Sequence, residues 1–73
     1  MACINADGTI SESAKELLGL ISNNPYTDEE IAAKLKKPMF KIRSSLRELE
    51  GAGFTIKSGD KFSTTEKGRE KLK

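Results

Sequence analysis

At 73 residues the chain has room for one domain around one core, close to the lower limit for folding alone. With 36% hydrophobic and 33% charged residues it has the balance of a globular protein, and its one cysteine (Cys3) and absent histidine exclude an internal disulfide, Cys/His zinc sites and histidine-based catalysis. The net charge of +2 is small, no apolar run approaches the roughly 20 residues that cross a bilayer, and Met1-Ala2-Cys3-Ile4-Asn5 has neither a basic nor an apolar leader region, so a cytoplasmic location is expected.

The first eleven residues read as an N-terminal arm and 12–73 as the folded domain. Asn5-Ala6-Asp7-Gly8 is a run of small turn formers leading into the first helix. Ala14, Leu17, Leu18 and Ile21 fall at i, i+3, i+4 and i+7, which predicts a helix over about 12–23 with one apolar stripe, and Ser13 with Glu16 has capping-box spacing. Asn23-Asn24-Pro25 ends it, because proline disfavours helix in the residue before it and donates no backbone hydrogen bond. Tyr26 is left as a short extended bridge.

Thr27-Asp28-Glu29-Glu30 is a second capping box, and its acids complement the positive start of a helix. That helix runs to about Lys36 and buries Ile31, Ala32 and Leu35. Lys37-Pro38 breaks it, with Pro38 suited to the first position of a third helix over about 38–50. The inward stripe of this third helix is Met39, Ile42, Leu46 and Leu49, and its outward face carries Lys41, Arg43, Ser44 and Arg47. Gly51-Ala52-Gly53 stops it.

Beyond Gly53 the period shortens to two, with Phe54 and Ile56 facing one way and Thr55 and Lys57 the other. Ser58-Gly59-Asp60 makes a tight turn and Lys61-Phe62-Ser63-Thr64 the return strand, a β-hairpin with Lys57 and Lys61 at its tip. Thr65 caps a last short helix over 66–72. The glycines at 51, 53 and 59 lack the pattern of a phosphate-cradling loop. The fold class expected is therefore α+β, mostly helical, with three helices, a hairpin and a short C-terminal helix.

Charge is unevenly spread along this order. Up to Glu30 the acids Asp7, Glu12, Glu16, Asp28, Glu29 and Glu30 face only Lys15, whereas Lys34 to Arg47 holds six cations and no acid. A basic block this concentrated on one helix and the turn before it points to an acidic partner.

From Leu17 to Leu72 the chain resembles the winged helix-turn-helix domains of bacterial and archaeal transcriptional regulators, above all MarR-like and ArsR-like groups and small archaeal relatives. The pieces that carry the resemblance are Thr27-Asp28-Glu29-Glu30-Ile31-Ala32-Ala33-Lys34-Leu35, then Ile42-Arg43-Ser44-Ser45-Leu46-Arg47-Glu48-Leu49-Glu50-Gly51-Ala52-Gly53-Phe54, and finally Phe62-Ser63-Thr64-Thr65-Glu66-Lys67-Gly68. Lys37 and Pro38 stand where related domains often carry an aliphatic residue and a serine or threonine cap. The resemblance implies a DNA-binding transcriptional regulator whose third helix enters the major groove, while the wing at 54–64 meets the backbone or the minor groove.

On that reading Arg43 and Arg47 contact guanine edges or phosphates, Lys41 acts as a point charge, and Ser44 bonds a base edge or phosphate. Lys36 and Lys37 in the turn, with Lys57 and Lys61 on the wing, meet backbone phosphates. The partner expected is double-stranded DNA, with a homodimer or a larger regulatory protein as a further partner, and any dimer would use helix one, the arm or the last turn. No catalytic residue, cofactor or metal is expected. The alternative is a winged-helix protein-interaction module without DNA binding, and Phe40 bears on it: it can touch a thymine methyl, mark a protein interface, or pack under the turn, the placement favoured here.

Overall fold

The computed structural model describes residues 4–5 and 7–72; Cys3 lies outside them. The order of elements is α1 (Glu12–Asn23), α2 (Asp28–Leu35), α3 (Met39–Gly51), β1 (Thr55–Ser58), β2 (Lys61–Thr64) and α4 (Glu66–Glu70). This is a mostly helical α+β arrangement with one antiparallel hairpin, β1 against β2, in which Thr55 pairs with Thr64 and Ser58 with Lys61. The two-residue turn between the strands has positive φ at Gly59 alone, the backbone that a type II′ turn asks of its first central residue.

The apolar stripes meet in one core. Ala14, Leu17, Leu18 and Ile21 of α1, Ile31 and Ala32 of α2, and Ile42, Leu46 and Leu49 of α3 are buried together with Ile10, Phe54 and Phe62. Leu35 and Met39, predicted inward, are only half-buried against that core. Tyr26 forms an isolated bridge with Phe62: its N–H donates to the Phe62 carbonyl at 3.2 Å and its carbonyl accepts from the Phe62 N–H at 2.7 Å. The hairpin is thereby tied to the segment before α2, and the buried Thr64 hydroxyl, donating to the Leu18 carbonyl at 2.7 Å, ties it to α1.

Several local expectations are corrected. The cap of α1 is Ser11, whose hydroxyl accepts from the Ala14 N–H at 3.2 Å, and Ser13 lies inside the helix. Ile10 is the reason: it is buried and bridged to Ile4, so the chain stays extended up to Ser11 and turns helical directly after it. Pro38 is the cap of α3, with ψ 147, and the helix starts at Met39. The last helix ends at Glu70, five residues after Thr65, which caps it by accepting from the Gly68 N–H.

The expected common facing of Phe54 and Ile56 is also corrected, since Phe54 is buried and Ile56 is not. Phe54 precedes the strand, held by its N–H to the Leu49 carbonyl at 2.9 Å after the chain turns at Gly53, φ 84. Alternation therefore begins at Thr55, which is buried, while Ile56 is 57% exposed.

Two substitutions at this corner should move stability in opposite directions. The Thr55 hydroxyl is buried with no hydrogen-bond partner among the described residues, so Thr55→Val, which keeps the shape, should raise the unfolding free energy by about 1 kcal/mol. Gly68 is buried against the Phe54 carbonyl, and a methyl at Gly68 would overlap that oxygen. Gly68→Ala should lower stability by about 1–3 kcal/mol. Urea unfolding of both variants checks the pair.

Candidate nucleic-acid interface

The orientation of α3 is fixed by the turn before it. Lys36 closes α2 in the left-handed region, φ 55, a conformation usually left to glycine. The Lys37 N–H then reaches back to the Ala32 carbonyl at 3.1 Å, and Pro38, extended, presents its carbonyl to the N–H groups of Lys41 and Ile42. The Lys41 bond engages one orphan amide at the start of α3, where no side chain supplies a cap.

With Ile42, Leu46 and Leu49 turned into the core, the spacing of an α-helix puts Phe40, Ser44, Arg47 and Gly51 on one ridge along the opposite side. All four are exposed. Arg43 flanks this ridge on one side and Lys41 on the other. The expectation that Phe40 packs under the turn is overturned: its side chain is 71% exposed, because one residue of helical phase separates it from Met39, which takes the inward place.

The eight predicted binding residues fall into three groups. On the Arg43 flank, Arg43 and Arg47 share a shallow cleft of about 250 Å³ with Lys57 of the hairpin, and the acids Asp28 and Glu50 line it too. On the other flank, Lys37, Lys41 and Ser44 line a groove of about 400 Å³ beside the start of α1. Lys36 and Lys61 line neither.

Not all of these cations are free. Arg43 Nε donates to Asp28 Oδ2 at 3.2 Å, with the guanidinium group largely exposed. Lys61 Nζ stands 3.9 Å from Glu30 Oε1, and Lys57 Nζ lies over the Phe62 ring at 5.5 Å. The acidic start of α2 therefore holds one cation of α3 and one of the hairpin. That pairing joins residues 15 and 31 positions apart, beyond any within-helix rule. The i, i+3 and i, i+4 spacings that located the caps carry no signal for it.

Glu30 has a structural duty besides. Its carboxylate accepts from the Thr27 N–H at 2.9 Å while the Thr27 hydroxyl accepts from the Glu30 N–H at 3.1 Å, the capping box that the sequence predicts. The Thr27 N–H, with help from Lys61 and Lys34, holds the Glu30 carboxyl below its ordinary value.

Comparison with known families, curated proteins and solved structures finds no match. What this surface binds therefore rests on its own chemistry. Among the described residues there is no grouping of three metal-binding side chains, and no helix is long and apolar enough to cross a membrane.

The depressed Glu30 carboxyl gives a pH test. Its contribution to stability is fully present above the ordinary value of 4.5 and is lost as pH falls through the lowered folded value. Glu30→Gln keeps an acceptor for Thr27 but no titration, so its thermal midpoint should fall less than that of the parent between pH 5 and pH 3, measured by circular dichroism. Equal falls in both proteins would remove Glu30 from the acid response.

Proposed function

We propose that this chain is a winged helix-turn-helix domain that binds double-stranded DNA as a transcriptional regulator, with α3 in the major groove and the hairpin as the wing. The observation that carries the reading is the outer ridge of α3. Ser44 and Arg47 project there with no partner among the described residues, between Lys41 on one flank and Arg43 on the other. A planar guanidinium and a hydroxyl on an exposed helix face are suited to base edges and phosphates.

The finer fold is supported by the short extended bridge between the first two helices, which pairs with the second hairpin strand, and by the cleft that brings Lys57 of the hairpin beside Arg43 and Arg47. On this reading Lys36, Lys37 and Lys57 are phosphate contacts that set position, and Lys61 is a weaker one because Glu30 competes for it.

Titration of a fluorescent mixed-sequence duplex, read by anisotropy at several salt concentrations, tests the proposal. About four neutralised phosphates should give a slope near −3.6 in log affinity against log salt. Arg47→Glu should weaken binding at least tenfold. Asp28→Asn, which releases Arg43 and removes one repelling charge while keeping an acceptor for the Glu29 N–H, should strengthen it severalfold. Absence of binding at low salt, or binding indifferent to salt and to Arg47, would sink the reading.

A further inference from the structure

The groove beside the start of α1 has a composition that duplex DNA does not explain. Helix α1 packs chiefly on β2 while α3 packs chiefly on α2 and β1, and the groove lies between the start of α1 and the first turns of α3. The floor between them is apolar, formed by Leu17, Leu35 and Ile42, with Phe40 as a raised lip. Lys37 and Lys41 stand on its rim. The one acid there, Glu12, has Lys15 3.8 Å away. Its cations are therefore in excess, with Lys36 exposed next to them.

An aromatic ring 71% exposed beside a partly apolar groove is an anchor in want of a cover, and such rings dominate the energy of protein contacts. A small molecule in the groove would leave much of that ring in water, since pockets that hold small ligands enclose most of the ligand surface. A chain segment laid along the groove covers both lip and floor. The basic rim selects its charge.

We propose that this groove is a docking site for an acidic amphipathic segment of a partner protein, one that places apolar side chains against Leu35, Phe40 and Ile42 and carboxylates beside Lys37 and Lys41. Phe40, Lys41 and Ser44 also belong to the face that the DNA reading assigns to the duplex. The bound segment therefore excludes DNA from the first half of α3, and the partner acts as a negative regulator by occupying it. The docking surface stands on the groove alone; only this last consequence rests on the DNA reading.

A selection from displayed random peptides of about 15 residues, roughly four helical turns, against the full-length chain reads the partner chemistry directly. Enriched peptides should be acidic, with apolar residues at helical spacing. A synthetic copy should shift backbone amides of residues 11–13 and 35–45 in the isotopically labelled protein, and should bind at least tenfold more weakly to Phe40→Ala and to a Lys37→Glu, Lys41→Glu double variant. Ile56→Ala, at the exposed apolar residue of the hairpin, should bind it unchanged. No enrichment, enrichment of neutral or basic peptides, or shifts centred on the hairpin would overturn the proposal.

The same peptide should displace a labelled mixed-sequence duplex. Simultaneous binding of both would overturn the regulatory consequence. Peptide capture by a protein that binds no duplex would remove the DNA reading and leave the docking groove in place.

Discussion

The antiparallel pairing of Phe62 with Tyr26 is the contact on which the arrangement of this molecule depends. Two backbone hydrogen bonds join the segment before α2 to the second hairpin strand, while the Phe62 ring enters the core shared by all three long helices. Two strands alone form a marginal structure in water. Anchored at Phe62, and again where the Thr64 hydroxyl meets the Leu18 carbonyl, the hairpin has a fixed position relative to α3. That position is what brings Lys57 to the cleft shared with Arg43 and Arg47. A hairpin free to swing would leave α3 as an isolated basic helix.

The three acids that open α2 bear on function in two opposed ways. They complement the helix start, and through Asp28 and Glu30 they reach Arg43 and Lys61, which lowers the positive potential of the candidate surface. Magnitude decides between holding and blocking. An exposed ion pair of this kind is worth about 0.2–1 kcal/mol, whereas a charge-assisted contact of a guanidinium with phosphate also releases counterions from the duplex. Arg43 is thus positioned by Asp28 in the free protein and available to a stronger anion. Asp28 acts as a holder whose own charge lowers the positive potential that an anion meets at Arg43.

Much of the fold was legible because its signals are local. The stripes of α1, α2 and α3, the Thr27 box, the Thr65 cap and the turn at Gly59 each depend on residues within a few positions of one another, and each lies where the spacing puts it. What was not legible depends on phase or on distance along the chain. Ile56 was paired with Phe54 by alternation, and the turn at Gly53 sets Phe54 before the strand; Phe40 was assigned to packing on the expectation that Pro38 rotates the helix end, and the helical spacing holds instead, leaving both apolar side chains in solvent. The cap at Ser11 depends on Ile10 being drawn into the core. The Arg43–Asp28 pair depends on how two helices cross. For the candidate site, the cations and their helix could be read in advance, and the acids that face them could not.

Size links the two surfaces proposed for α3. A chain this short buries a smaller share of its surface than a larger domain, and here the core is spent on holding three helices to one hairpin. Helix α1 is engaged mainly by β2, and only its start borders the groove at the first turns of α3. The same packing that leaves Ser44 and Arg47 exposed leaves Phe40 exposed beside an apolar floor. A single exposed ring is ordinary on a protein surface; what sets Phe40 apart is the apolar floor beside it. The lysines beside it, Lys36, Lys37 and Lys41, keep the free surface solvated and repel a second copy presenting the same patch. The same three charges set the sign of the partner proposed for the groove.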